Sequence, residues 1–281
     1  MFHLIRKILC GICLFSPGVA VYGEGLTLSW ENRFLRIHGK SVVGDFVEIH
    51  YLEAYCRPGA ADQPWGETVI KHTSQKVSEA ANGKRIELVD RLSDGVVVKH
   101  LIEAGKDEVS FRVIASNPTQ KASEVDWAQP CMRVDRFVGA NPKDARKTFP
   151  PYIKQCFLFI DGKPTRLPTE PWAMKARYIP GQVFVPANVN RDDVNPRPIS
   201  KLVPSCGLTG CFSKDDNSIL AIAWEPYQEI FQGVITCMHN DFRIGGLEPG
   251  ETKEILGKLY IVPADLKSLE ARFKSDFGLA D

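Results

Sequence analysis

Val109-Ser110-Phe111-Arg112-Val113-Ile114-Ala115 is the stretch that decides the fold. Val109, Phe111, Val113 and Ala115 alternate with Ser110, Arg112 and Ile114, a period of two that sets one face of a strand against a core. The alternation returns in Ile255, Gly257, Leu259 and Ile261 against Leu256, Lys258 and Tyr260, and again in residues 48–55 and 86–90. Turn chemistry separates these runs at short intervals, as in Asn82-Gly83, Ser93-Asp94-Gly95, Asn117-Pro118-Thr119, Asp161-Gly162 and Asp215-Asp216-Asn217. Many short strands joined by close turns specify an all-β fold, a large antiparallel β-sandwich, and not alternating strands and helices. One segment departs from the pattern. Pro263-Ala264-Asp265 starts a short C-terminal helix in which Leu266, Leu269 and Phe273 share a face, so it caps the sandwich.

The N-terminus reads as an export signal occupying residues 1–23. Arg6 and Lys7 precede the apolar run 8–15, Ser16-Pro17-Gly18 breaks the helix, and small residues mark cleavage after Ala20 or Gly23. The apolar run is far shorter than the roughly 20 residues that span a bilayer. The mature chain, residues 24–281, is expected to form a single β domain, secreted or periplasmic, with no membrane attachment after cleavage. Loss of Arg6 and Lys7 leaves 33 basic residues against 34 acidic ones. That near-neutral balance excludes the basic footprint of a nucleic-acid binder.

Cys10 and Cys13 leave with the signal, and Cys56, Cys131, Cys156, Cys206, Cys211 and Cys237 remain. Their intervals give no zinc pattern, so no metal and no cofactor is expected. Cys206 and Cys211 bracket Gly207-Leu208-Thr209-Gly210. A turn there would let them bridge, whereas one continuous strand puts them on opposite faces; the strand, with buried thiols, is the favoured reading. Between Asn141 and Pro204 lie eleven of the 19 prolines. Proline at that density does not run through central strands. The region is expected to be long ordered loops, with strands near residues 156–161 and 177–185.

Two polar stretches near the C-terminus carry the candidate chemistry: Trp224-Glu225-Pro226-Tyr227-Gln228 and His239-Asn240-Asp241-Phe242-Arg243. Residues 230–238 between them are apolar and β-prone. Pairing residues 219–224 with 233–238 would bring Glu225 and His239 to one rim, where Glu225 or His239 serves as base and Tyr227 as acid. Asp241 and Arg243 would bind substrate beside them. Arg133 and Asp135, two apart and so on one face of a strand, make either an exposed ion pair or the wall of a polar groove. Trp127 offers a ring for stacking on a sugar, the alternative being a core position. In residues 188–198, Arg191, Asp192 and Asp193 supply forked donors and acceptors to hydroxyls, or else pin their own loop. That loop, with Arg177 and Tyr178, is expected to border the groove. Its oxygen spacing matches no EF-hand calcium loop. No nucleophile elbow, phosphate loop or dinucleotide fingerprint is present.

Ser116-Asn117-Pro118-Thr119 leading to Asp126-Trp127-Ala128-Gln129-Pro130-Cys131, with Cys237-Met238-His239 and Leu247-Glu248-Pro249-Gly250-Glu251-Thr252 late in the chain, resembles the galactose-mutarotase-like β-supersandwich. That fold is shared by aldose epimerases and by domains of polysaccharide lyases. The resemblance spans roughly residues 26–276 and is one of pattern. It implies a carbohydrate ligand, an oligo- or polysaccharide, in a groove on the concave sheet face. If the protein is an enzyme, it implies proton-transfer chemistry of epimerase or lyase type. Gln129 stands where the epimerase motif has a histidine, which sets the chain apart from plain mutarotation. A non-catalytic carbohydrate-binding module and a structural exported sandwich with a protein partner are the alternative readings.

Overall fold

The computed structural model describes residues 25–59, 63–140, 151–170, 182–194, 198–233 and 235–279. The export signal assigned to residues 1–23 lies outside them, as do Arg177 and Tyr178. Among the described residues the chain forms β1 (Thr27–Glu31), β2 (Phe34–His38), β3 (Phe46–Cys56), β4 (Val69–Ile70), β5 (His72–Glu79), β6 (Arg85–Leu92), β7 (Val97–Ala104) and β8 (Glu108–Ser116). It continues through β9 (Trp127–Arg133), β10 (Cys156–Ile160), β11 (Lys163–Arg166), β12 (Pro204–Phe212), β13 (Ser218–Glu225), β14 (Tyr227–Gly233), β15 (Cys237–Arg243) and β16 (Thr252–Pro263).

These strands build two antiparallel sheets. The first runs β1-β2-β3-β9-β15-β14, with β4 added to β3; the second runs β11-β10-β12-β13-β16-β8-β7-β6-β5. The stretch that opened the sequence reading is β8, flanked by β7 and β16 near the middle of the second sheet. Alternation decides what each strand gives the core. Ile49, Met132, Met238 and Phe242 come from the first sheet; Val98, Phe111, Val113, Leu220, Trp224 and Leu259 come from the second. Trp224 fits because Gly257 faces it across the ladder, where a Cβ would come within 2.3 Å of the indole.

A second apolar cluster lies on the outer side of the second sheet, where Phe157, Phe212, Ile219 and Tyr260 meet Leu269 and Phe273 of the C-terminal helix (Leu266–Asp276). Asp265 caps that helix, accepting from the amides of Lys267 at 3.0 Å and Ser268 at 3.1 Å. The helix is thus the cap that the sequence predicts. Cys206 and Cys211 lie in the single strand β12, as expected, and the six cysteines among the described residues are free thiols. No helix among the described residues is long and apolar enough to cross a membrane.

The expected pairing of residues 219–224 with 233–238 does not occur. β13 pairs with β12 and β16 in the second sheet, while β14 and β15 form a hairpin in the first. Pro226 falls between β13 and β14, where the chain passes from one sheet to the other. Lacking an amide hydrogen, it suits a break in the ladder. The apolar, β-prone run 230–238 takes in the end of one arm of that hairpin and the start of the other.

Candidate functional site

The first sheet turns one face to the core and the other away from it. Even-numbered residues of β15 point inward: Met238 and Phe242 pack in the core, and the Asn240 amide reaches the carbonyl of Ile222 on the second sheet at 3.1 Å. Strand periodicity therefore turns Cys237, His239, Asp241 and Arg243 outward. Register brings matching residues beside them. Cys131 faces His239 and Arg133 faces Cys237 from β9; Glu229 faces Asp241, Phe231 faces His239 and Gly233 faces Cys237 from β14. From β3, Glu48 faces Arg133 and His50 faces Cys131. Four adjacent strands thus present acids, imidazoles, thiols and a guanidinium on one surface.

The centre of this surface is buried. Glu229 and Asp241 are both 0% exposed and His239 is 4% exposed. Both oxygens of each carboxyl, His239 Nδ1 and Arg133 Nε have no hydrogen-bond partner among the described residues. His239 Nδ1 lies 3.6 Å from Asp241 Oδ1, just beyond hydrogen-bond reach. The ring itself is held flat against Phe231, with centroids 4.2 Å apart and planes 6° apart. On its other nitrogen, His239 Nε2 stands 3.3 Å from Cys237 Sγ. Cys131, Cys237 and His239 each offer a ligand atom, all within 4.8 Å of one another. The cysteine spacing in the sequence hid this convergence.

Burial shapes the electrostatics. It pushes the Asp241 carboxyl up to about 6, against the pull of His239 and Gln129. Burial and the facing Asp241 raise Glu229 well above the usual carboxylate range. Burial works against charge on His239, yet Cys131 and Asp241 outweigh it and hold the imidazole above its ordinary value. Burial and the facing acid thus both oppose charge on Glu229.

Arg133 links this buried group to a polar cavity of about 330 Å³, which Arg36, Phe46, Glu48, Asp135, Arg136 and Ile235 also line. Arg36 is paired with Glu48 at 2.8 Å, and the Arg136 guanidinium sits 4.4 Å over the Phe46 ring. Asp135 opens the short helical turn Asp135–Val138, so it lines the cavity from beyond the end of β9.

The other candidates lie elsewhere. Glu225 ends β13 in the second sheet with its side chain exposed, and partial desolvation raises its pKa. Tyr227 points into the core: its ring lies where a Cβ on Gly207 would sit, 2.7 Å away, and its hydroxyl reaches only the Pro204 carbonyl at 3.4 Å. Neither joins His239. Trp127 is fully buried against Ala54, Cys56 and Val69. Arg243, opposite Trp127, is tied to Asp126 at 3.0 Å and to Gln228. Arg191 donates to the Ser200 carbonyl, Asp193 accepts from the Gly59 amide at 2.9 Å, and Asn190 caps the Asp192 amide at 3.1 Å. These bonds fix the loop itself.

The sequence reading missed Glu229, Cys131 and the cavity arginines Arg36 and Arg136. Glu229 left one signal, the alternation Glu229, Phe231, Gly233 across a strand that begins at Tyr227.

No family model matches the chain, and no curated protein matches it. Solved structures similar to it include a galactose mutarotase-like protein from Clostridium acetobutylicum. That likeness is at 10% identity and TM-score 0.46, over 87% of this chain and 97% of that one. Another is a galactose mutarotase-like protein from Lactobacillus casei, at 8% identity and TM-score 0.42, over 84% and 100%. A galactose 1-epimerase from Lactobacillus acidophilus is similar at 8% identity and TM-score 0.41, over 85% and 98%. No residue role follows from likeness at this level.

Proposed function

We propose that the protein binds a carbohydrate at the Arg133 cavity, with the buried group of Glu229, Asp241 and His239 behind it. The observation that carries this reading is the facing pair Glu229 and Asp241, fully buried with four carboxyl oxygens unpartnered among the described residues. Buried polar groups without partners cost a few kcal/mol each. A hydroxyl-rich ligand supplies the missing donors, and the guanidinium forks of Arg36, Arg133 and Arg136 suit its hydroxyls or a carboxylate. The resemblance of the Asn117 and Pro249-Gly250 motifs to aldose epimerases points to the same ligand class. The two motifs meet in space: the Asn117 side chain donates to the Leu247 carbonyl at 3.0 Å, and the Gly250 amide donates to the Asn117 carbonyl at 2.8 Å.

As an enzyme the site would run proton transfer, of epimerase or β-eliminating type. One carboxyl of the pair takes a proton, the other returns one, and Arg133 steadies the negative charge that develops between. The pair replaces Glu225 and Tyr227 in those roles. The burial of the pair favours a second reading, in which the more open cavity holds a glycan without turning it over. On the pattern of residues 1–23, either activity belongs outside the cytoplasm.

The test is a panel of neutral and acidic glycans, scored for retention and for product. Retention or turnover that is lost in Glu229→Gln and Asp241→Asn supports the site. Retention without product in the wild type selects the binding module. Neither retention nor turnover on any glycan overturns the carbohydrate reading.

A further inference from the structure

We propose that Cys131, Cys237 and His239 form a site for a thiophilic divalent metal ion of the zinc class, bound by two sulfurs and one nitrogen. The argument is geometric and independent of the carbohydrate reading. Cys131 Sγ, Cys237 Sγ and a His239 ring nitrogen lie within 4.8 Å of one another, and Cys237 Sγ stands 3.3 Å from His239 Nε2. Donors bound tetrahedrally to zinc sit about 3.6–3.8 Å apart, given metal–sulfur and metal–nitrogen bonds of about 2.3 and 2.0 Å. The three donors therefore need only small rotamer adjustments to close on an ion.

Three features of the surroundings fit a metal. First, the imidazole turns Nε2 to the thiols and Nδ1 toward Asp241 Oδ1, 3.6 Å away. That is the histidine-to-carboxylate arrangement that orients zinc-bound imidazoles. Second, Gly233 faces Cys237 across the hairpin, and a Cβ there would come within 2.5 Å of Cys237 Sγ and 3.8 Å of His239 Nε2. The glycine keeps open the space in which the donors meet. Third, the Phe231 ring stacked on His239 fixes the imidazole plane, so the nitrogen is preorganised. A soft N/S donor set of this kind selects zinc, cobalt or copper(I) over magnesium or calcium. Three protein ligands leave a fourth position open, as in catalytic rather than structural zinc sites. Arg133, which faces Cys237 and lines the cavity, marks the way in.

The experiment strips the full-length protein of metal under reducing conditions, adds zinc or cobalt, and measures bound metal per chain. One equivalent is expected, and the cobalt form should show thiolate-to-cobalt charge-transfer absorption. Alkylation in mild denaturant with and without metal, followed by peptide mass mapping, should show Cys131 and Cys237 slowed by the metal while the equally buried Cys156 and Cys211 react alike in both. Cys131→Ser and Cys237→Ser should abolish the band, whereas Cys211→Ser should keep it. Gly233→Ala and Asp241→Asn leave every ligand in place and should weaken zinc about 10–100-fold. If a serine variant fails to fold, alkylation of the wild type still decides the matter. Binding well below one equivalent would overturn the proposal. So would a cobalt band that survives loss of both cysteines, or recovery of Cys131 and Cys237 as a disulfide with no metal uptake on reduction. None of these readouts uses a glycan, so failure here leaves the carbohydrate reading standing, and the converse also holds.

Discussion

Among the described residues lie two buried histidine–aspartate pairs, one between the sheets and one on the outward face of the first sheet, and they are built differently. His100 on β7 and Asp90 on β6 stand 3.2 Å apart in the core. Tyr51 lies 2.9 Å from His100 Nδ1, Tyr55 lies 3.1 Å from His100 Nε2, and the Tyr55 hydroxyl donates to Asp90 at 2.6 Å. Both ring nitrogens and one carboxylate oxygen are thereby matched by protein groups. His239 and Asp241 are as deeply buried, yet among the described residues Nδ1 and both carboxylate oxygens lack partners, as does the facing acid Glu229, where Asp90 leaves one oxygen unmatched. A buried network with its partners in place specifies a core. One without them is a stability loss that selection retains where something outside the chain completes it.

The largest expected effect follows from that contrast. Glu229→Gln and Asp241→Asn should each reduce turnover on an identified glycan by about 100-fold or more, the usual worth of a positioned acid or base. Their stability should stay within about 1 kcal/mol of wild type, because each amide keeps the size of the carboxyl while removing a buried ionisable group. Turnover kinetics and thermal melts on the same preparations check both halves.

Next in size is the core pair. His100→Ala leaves Tyr51, Tyr55 and Asp90 short of a partner in a dry site and should destabilise the fold by about 3–5 kcal/mol. Tyr55→Phe, which removes one hydroxyl, should lose about 1–3 kcal/mol. Urea denaturation measures both, and equal effects from the two would blur the distinction drawn here.

The pH dependence of stability sharpens it further. Burial pushes the Asp90 carboxyl up, but the neighbouring His100 and the hydrogen bond from Tyr55 outweigh burial and hold it below its ordinary value. A carboxyl depressed in the folded state stabilises fully above its unfolded pKa, near 4. That contribution drains away as pH falls through 4 toward the lower folded value. Melting temperature should therefore decline below about pH 4, and Asp90→Asn should flatten that limb.

The smallest effect concerns the loop around Arg191. Asp192 is exposed, and among the described residues only its backbone amide is held, by Asn190. Asp192→Ala should change glycan retention and stability by less than about 0.5 kcal/mol. A large loss of retention would return that loop to the ligand site.

The β-sandwich was legible because strand periodicity and turn residues are local signals. β8, β16 and the Asp265-capped helix lie where Val109–Ala115, Ile255–Ile261 and Pro263-Ala264-Asp265 put them. His239, Asp241 and Arg133 were legible as polar residues on β-prone segments, and the structure brings them to one face. The partner of His239 was not. Glu225 looked adjacent because residues 219–238 read as one hairpin, whereas Pro226 marks the passage between sheets and the true turn includes Ile235 and Thr236, the latter at φ 58°. Once β14 starts at Tyr227, Glu229 falls opposite Asp241. Cys131 is over a hundred residues from Cys237, and only the register of β9 on β15 joins them. Long-range pairing of this kind leaves no trace in spacing.

The most direct test sets the two aspartates side by side. Asp90→Asn and Asp241→Asn make the same chemical change in the two buried pairs, and each protein is measured for melting temperature and for retention of a glycan that the wild type binds. The account predicts that Asp90→Asn melts several degrees lower and retains the glycan, while Asp241→Asn melts at or above the wild-type temperature and loses it. Retention preserved in Asp241→Asn, with a large drop in its melting temperature, would contradict the account.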